Sequence, residues 1–250
     1  MIEATNQQVT LDIFRGDDDG GEMTEYTVEV QEGMVVLDAV HAVQAQHAPE
    51  MACRWNCKAG KCGSCSAEVN GHPKLMCMDR LDNYEAGETI SVRPLKTFPV
   101  IKDLVCDVSW NFEQNSRIGQ LQPRQGTDWL FTQREADRVQ EFRKCIECFL
   151  CQNVCHVLRD HDRKDDYVGP RLLVRLASLE LHPLDDGDRL DEIKDEYGIG
   201  YCNITKCCTE VCPESITITD NAIIPLKERI VDRHYDPVAW IWRKLTGGQK

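Results

Sequence analysis

The stretch Lys144-Cys-Ile-Glu-Cys-Phe-Leu-Cys-Gln-Asn-Val-Cys-His156 carries Cys145, Cys148, Cys151 and Cys155 in a C-x2-C-x2-C-x3-C arrangement. With this spacing three thiolates hold one iron–sulfur cluster and the fourth reaches a neighbouring cluster. A run that serves two clusters needs a second run to complete both, and Cys202, Cys208 and Cys212-Pro213 supply it. The same spacing would put another cysteine at 205, where the residue is Thr205. Crossing of ligands between the runs assigns Cys145, Cys148, Cys151 and Cys212 to a 4Fe–4S cluster, and Cys155, Cys202 and Cys208 to its neighbour. Short of one thiolate, that neighbour is expected to lose its labile iron and settle as 3Fe–4S. Cys207 is a rival fourth ligand, but it adjoins Cys208 and successive side chains point in different directions.

A third clump precedes these two. Cys57, Cys62 and Cys65 have the x4, x2 spacing of a plant-type 2Fe–2S site, with Cys77 as the distant fourth ligand. Soft thiolate sulfur suits four-coordinate iron, while Gly60 and Gly63 permit the turns that aim backbone amides at cluster sulfurs. Tetrahedral zinc is the rival reading, but zinc ligands usually come as two short-spaced couples rather than a loop followed by one remote cysteine. Cys53 and Cys106 fit neither spacing and read as buried structural thiols.

The 250 residues allow two domains, and 29 basic against 42 acidic side chains give a net charge of −13. That charge repels phosphate backbones and argues against a nucleic-acid partner. The 14 cysteines are bunched at ligand spacings rather than spread as a disulfide framework. No apolar run reaches the ~18 residues needed to cross a bilayer, and Met1 to Asn6 resembles neither a signal nor a transit peptide. A reducing cytoplasm suits the thiols.

Taken in order, Val9, Leu11 and Ile13 alternate with polar residues, as do Tyr26, Val28 and Val30; both segments read as half-buried strands, with a turn over residues 16–21. Val36, Val40 and Val43, with Leu37, recur at helical spacing over residues 34–46. Asn70-Gly71 marks a tight hairpin, and residues 89–93 form a last strand. This order predicts an α+β chain: a β-grasp 2Fe–2S domain over residues 1–105, then a mostly α-helical cluster domain over 106–250. The connection falls between Pro94 and Phe131, where the periodicity fades. Thr132-Gln-Arg-Glu135 is a capping box opening a helix toward Lys144. Gly169-Pro170 opens another that carries Leu172, Leu173, Leu176 and Leu179. Asp188 is expected to cap a helix ending near Gly198, and Pro225 to open one toward Asp232. No Ser-His-Asp order, nucleotide-binding glycine loop or carboxylate pair stands out, so no catalytic residue is expected and the chain reads as a conduit for electrons.

From about residue 8 to residue 230 the sequence resembles the iron–sulfur subunit of succinate dehydrogenase and fumarate reductase. The resemblance rests on Cys57-Lys-Ala-Gly-Lys-Cys-Gly-Ser-Cys65, Arg93-Pro-Leu95, Phe98-Pro-Val-Ile-Lys-Asp-Leu104, the run 145–155, Val168-Gly-Pro170 and the second cysteine run. It implies a respiratory role in the tricarboxylic acid cycle, in which electrons pass from the FAD of a flavoprotein subunit through 2Fe–2S, 4Fe–4S and 3Fe–4S clusters to a membrane anchor and quinone. It also implies a place on the cytoplasmic face of a bacterial inner membrane. Many members carry proline, tryptophan and histidine where this sequence has His156, Asp160 and Asn203. The usual quinone site is therefore questioned, with haem or another centre in the anchor as an alternative acceptor. The Trp240 to Lys244 segment suits a membrane or anchor surface as well as a packed tail. The other readings are fumarate reduction by the same architecture, a free-standing multi-cluster ferredoxin, and a zinc-binding interaction module.

Overall fold

In the computed structural model, which describes residues 7–126, 128–238 and 241, the alternating segments become β1 (Gln7–Asp17) and β2 (Gly20–Val30). Strands β3 (Ser66–Val69), β4 (His72–Leu75), β5 (Thr89–Arg93), β6 (Val100–Lys102) and β7 (Val105–Cys106) follow. The helices are α1 (Val36–Gln46), α2 (Ser109–Arg117), α3 (Gln133–Gln140), α4 (Leu150–Val154), α5 (His156–Arg159), α6 (Pro170–Glu180), α7 (Leu190–Asp195), α8 (Cys207–Glu210) and α9 (Ile224–His234). The chain divides into two compact units. Unit 1 holds Met1–Trp110, Ile146–Val154 and Val211–Glu214; unit 2 holds Asn111–Cys145, Cys155–Glu210 and Ser215–Lys250.

Unit 1 is built on a five-stranded sheet in the order β2-β1-β5-β3-β4. β1 pairs antiparallel with β2 from Gln7↔Val30 to Asp17↔Gly20, so the reversal narrows to Asp18 and Asp19. β5 runs parallel to β1, and a parallel pair needs a crossover, which here includes α1. The helix buries Val36, Leu37, Ala39, Val40 and Val43 in one cluster with Leu11, Ile13, Val28, Val30, Ile90 and Val92 of the sheet. This is the expected β-grasp arrangement. The helix begins at Val36 rather than Met34, because Val35 pairs with Arg80 in an isolated bridge and donates its amide to the Asp38 carboxylate. Asn70 and Gly71 turn the β3–β4 hairpin with φ of 47° and 75°, as their composition requires.

Two features lie where the sequence read only a connection. β6 and β7 form a short hairpin, and α2 follows it. The buried Asp103 explains the hairpin: one carboxylate oxygen accepts from Arg15 Nε and the Gly16 amide, and the other accepts from the Ala52 amide at 2.8 Å. Unit 1 also takes in α4, whose Asn153 is fully buried. Asn153 Nδ2 donates to Glu68 at 2.8 Å, and its Oδ1 accepts the Thr97 amide at 3.1 Å.

Unit 2 is mostly helical. Thr132 and Glu135 cap α3 reciprocally, the Thr132 amide donating to Glu135 at 2.7 Å and the Glu135 amide donating to Thr132 Oγ1 at 3.4 Å. Gly169, at φ 83°, and Pro170 open α6, which buries Leu172, Leu173, Leu176 and Leu179. A π-helical segment, Ile218–Ile223, packs on α6 and leads into α9. The expected cap at Asp188 is not made: α7 starts after Arg189 without a side-chain cap, and Asp188 accepts from Arg233 instead. Asp188 finds a guanidinium on α9, and an ion pair holds a carboxylate more strongly than a lone amide does. Among the described residues no helix is long and apolar enough to cross a membrane. Trp240 and residues 242–244 lie outside the described residues.

Candidate iron–sulfur centres

The loop between α1 and β3 carries the first thiols. Cys57 Sγ accepts the amides of Ala59 at 3.4 Å and Lys61 at 3.3 Å. Lys58, Gly60 and Gly63 take left-handed backbone, with φ of 51°, 66° and 70°, in the loop whose Ala59 and Lys61 amides meet one sulfur, as converging amides do around anionic groups. Cys65 and Cys77 are buried. Burial, with the Cys77 thiol alongside, pushes Cys65 up to about 12. Burial opposes the thiolate of Cys62 too, but hydrogen bonds from Ser64 and the surrounding backbone outweigh it and bring that thiol down to about 7. Cys57 is thus a hydrogen-bonding neighbour of Cys62, and Cys77 one of Cys65, with Cys62 near enough for its charge to act there.

Gly63 has a second constraint. A Cβ there would stand 2.6 Å from Cys148 Cα and 2.9 Å from the Cys148 amide nitrogen. The Ser66 hydroxyl is shared between the carbonyls of Gly63 and Cys148, at 2.8 Å to each. In unit 1, therefore, the first cysteine loop and the start of the second run pack backbone to backbone. Cys148, Cys151 and Cys212 all belong to this unit, whereas Cys145 ends the first segment of unit 2. Cys148 and Cys151 are buried, and Glu147 and Phe149 around Cys148 take φ of 56° and 60°.

In unit 2, Cys155, Cys202, Cys207 and Cys208 line one tight cavity of about 10 Å³, together with Thr205, Tyr167, His156, Asn203 and Thr219. Ile204 and Lys206 flank Thr205 at φ of 63° and 66°, strained values for a β-branched residue such as isoleucine. Burial raises Cys155 to about 11, with Cys207 and Cys202 as charged neighbours, and burial likewise raises Cys208, whose Sγ lies 3.5 Å from Thr219 Oγ1. Thr205 Oγ1 lies 3.3 Å from Cys207 Sγ, so both residues weighed for the missing ligand position reach this cavity. Asn203 Nδ2 donates to His156 Nε2 at 2.9 Å; two of the departures from the family pattern are partners.

The donor sets fit iron–sulfur clusters. Among the described residues the group of three His, Cys, Asp or Glu ligand atoms gathered within 4.8 Å is Asp17, Asp18 and Asp19; no three thiols are. A single zinc ion at ~2.3 Å from each sulfur would hold its thiolates about 3.8 Å apart, closer than any three thiols stand among the described residues. No disulfide ties any of the 14 cysteines. Cys106 is buried whereas Cys53, expected to be buried, is half-buried; burial pushes their thiols up to about 11 and about 12. Ser64, Ser66, Asn153 and Tyr167 escaped the sequence reading. Their chemistry is ordinary until the fold brings Ser64 and Tyr167 to thiols, Ser66 to the Cys148 carbonyl and Asn153 to Glu68, although Ser64 and Ser66 bracket Cys65.

A 2Fe–2S iron–sulfur cluster binding domain matches residues 10–113, and a 4Fe–4S dicluster domain matches residues 141–216. A solved chain of the Mycobacterium smegmatis Sdh1 complex in the apo form is 56% identical, with a TM-score of 0.91 over 94% of this chain and 100% of that one. An uncharacterized iron–sulfur protein of Methanococcus maripaludis is 31% identical over 219 residues, which are 83% of this chain and 42% of that protein. The chain thus spans less than half the length of that relative. The succinate dehydrogenase iron–sulfur subunit of Paracoccus denitrificans is 28% identical over 240 residues, 92% of this chain and 90% of that subunit. With the two cluster domains in this order, and a subunit of the Sdh1 complex matched along its whole length, the chain belongs to the family of succinate dehydrogenase and fumarate reductase iron–sulfur subunits.

Proposed function

We propose that this chain is the electron-transfer subunit of a succinate:quinone oxidoreductase, carrying electrons from the FAD of a flavoprotein subunit through 2Fe–2S, 4Fe–4S and 3Fe–4S clusters to a membrane anchor and quinone. The single observation that supports it most is the cavity in unit 2, where Cys155, Cys202 and Cys208 meet while Thr205 occupies the position that the spacing reserves for a fourth ligand. When bound, the clusters supply one-electron carriers. The chain's own residues hold and insulate them: Cys57, Cys62, Cys65 and Cys77 the first, Cys145, Cys148, Cys151 and Cys212 the second, and Cys155, Cys202 and Cys208 the third. Burial of Cys65, Cys148, Cys151, Cys155 and Cys208 keeps water from the sulfurs, and amides such as those of Ala59 and Lys61 donate toward them. Both effects tune reduction potential.

In this reading residues 1–105 form the 2Fe–2S domain and 106–250 the helical cluster domain. The subunit sits peripherally on the cytoplasmic face of a bacterial inner membrane, held by its anchor. The same architecture serves fumarate reduction, and related subunits carry that name. Isolation of the intact membrane complex tests the proposal. Iron and acid-labile sulfide in the ratio of the three clusters, an EPR signal of an oxidised trinuclear centre, and loss of succinate-dependent quinone reduction in Cys212→Ser are expected. Little iron, or full activity in Cys212→Ser, would overturn it.

A further inference from the structure

Tyr167 precedes α6 in unit 2 and is 1% exposed. Its side chain lines the same cavity as Cys155, Cys202 and Cys208, and its hydroxyl has no nitrogen or oxygen partner within the protein, with only the thiol of Cys202, a weak acceptor, beside it. Leaving a buried hydroxyl unmet costs about 1–3 kcal/mol, and buried hydroxyls of tyrosine usually find a partner. A phenylalanine would fill the same volume without that cost. The neighbours of this hydroxyl are thiols: Cys202 is within hydrogen-bonding reach, and Cys155 and Cys208 are near enough for their charge to act on it. In a cavity whose donor set suits an iron–sulfur cluster, sulfur is the one acceptor present in quantity, and cluster sulfurs accept hydrogen bonds.

We infer that the Tyr167 hydroxyl is a hydrogen-bond donor to the sulfurs of the cluster held by Cys155, Cys202 and Cys208, and sets that cluster's reduction potential from above. The inference rests on the ligand assignment proposed for this cavity and adds a residue to it. Tyr167 acts as a positioning and tuning residue; it neither ligates iron nor exchanges its proton. The direction follows from charge. Reduction puts one more electron on the cluster and makes its sulfurs better acceptors, so a fixed donor stabilises the reduced state more than the oxidised state. Removing the donor then lowers the potential. Thr219 Oγ1 beside Cys208 is a second polar group at the cavity, but it belongs to a chain of hydroxyl contacts with Thr209 at 3.1 Å, whereas the neighbour of the Tyr167 hydroxyl, Cys202, is itself a proposed ligand sulfur.

The test is an EPR-monitored redox titration of the complete complex carrying Tyr167→Phe, with iron and sulfide analysis alongside. The one-electron equilibrium of the trinuclear cluster is expected to shift about tenfold toward the oxidised form, which is about 59 mV for a one-electron couple. The potentials of the other two clusters stay put. Site-specific replacement of Tyr167 by a fluorotyrosine, a near-isosteric and stronger donor, shifts the same equilibrium the opposite way. If Tyr167→Phe does not assemble, the fluorotyrosine variant decides the matter by itself. An unchanged trinuclear potential in either assembled variant overturns the inference. Absence of any trinuclear signal from the unmodified complex would instead overturn the ligand assignment on which it rests.

Discussion

Replacing Gly63 by alanine adds one methyl group at a point where unit 1 has no room for it. The residue sits at φ 70°, where an L side chain costs about 1–2 kcal/mol. The added Cβ would also lie 2.6, 2.8 and 2.9 Å from the Cα, Cβ and amide nitrogen of Cys148. These are backbone atoms and the first side-chain atom, so no flexible tip can swing away, and forced overpacking of this kind costs about 1–3 kcal/mol. The sum is about 2–5 kcal/mol. Gly71→Ala is the matched control: its φ is 75°, and an added Cβ would meet nothing within 4 Å, so it carries the conformational cost alone. Anaerobic urea unfolding of the two variants, followed by circular dichroism, isolates the contact with Cys148 as their difference. Gly63→Ala should also lose iron from the cluster that includes Cys148 before the 2Fe–2S signal changes. If the two variants agree to within about 0.5 kcal/mol, the usual error of such comparisons, the packing argument is wrong.

Thr205→Cys should convert the trinuclear centre to a tetranuclear one: the EPR signal of the oxidised trinuclear cluster disappears and iron rises by one atom per chain, whereas Cys207→Ser leaves the signal in place. Asn153→Ala removes a donor to the buried Glu68 and the acceptor of the Thr97 amide, and should cost about 3 kcal/mol in urea unfolding. Cys53 gives a pH dependence. Its folded thiol is pushed by burial from 9.0 up to about 12, so its contribution is complete below pH 9 and declines as the pH rises toward 12. Between pH 9 and 10 the loss is about 1 kcal/mol. Unfolding midpoints of Cys53→Ala, read against the unmodified chain over that interval, should show a flatter decline.

The residues that were legible in the sequence act over short range. Cysteine spacing announces the 2Fe–2S and 4Fe–4S dicluster domains because each clump of thiols is held within a short loop, and Asn70-Gly71 reports its hairpin because both residues accept left-handed backbone. Thr132 and Glu135 meet within one helical turn, and Gly169-Pro170 shapes its own N-terminus. Val9 to Ile13 and Val36 to Val43 show their periods because each lies on a single buried face.

What the tertiary structure alone decided involves partners far apart in sequence. Asp188 met Arg233 and gave up its cap. The β6–β7 hairpin is too short to show a period, and it exists because Asp103 gathers donors from Arg15, Gly16 and Ala52. Glu147, Phe149, Ile204 and Lys206 adopt left-handed backbone without being glycine, a strain of about 1–3 kcal/mol each that only surrounding contacts can hold. Tyr167 is an ordinary aromatic in the sequence until burial places its hydroxyl among thiols. Local sterics are written residue by residue, whereas long-range packing and charge pairing appear only once the chain has closed on itself.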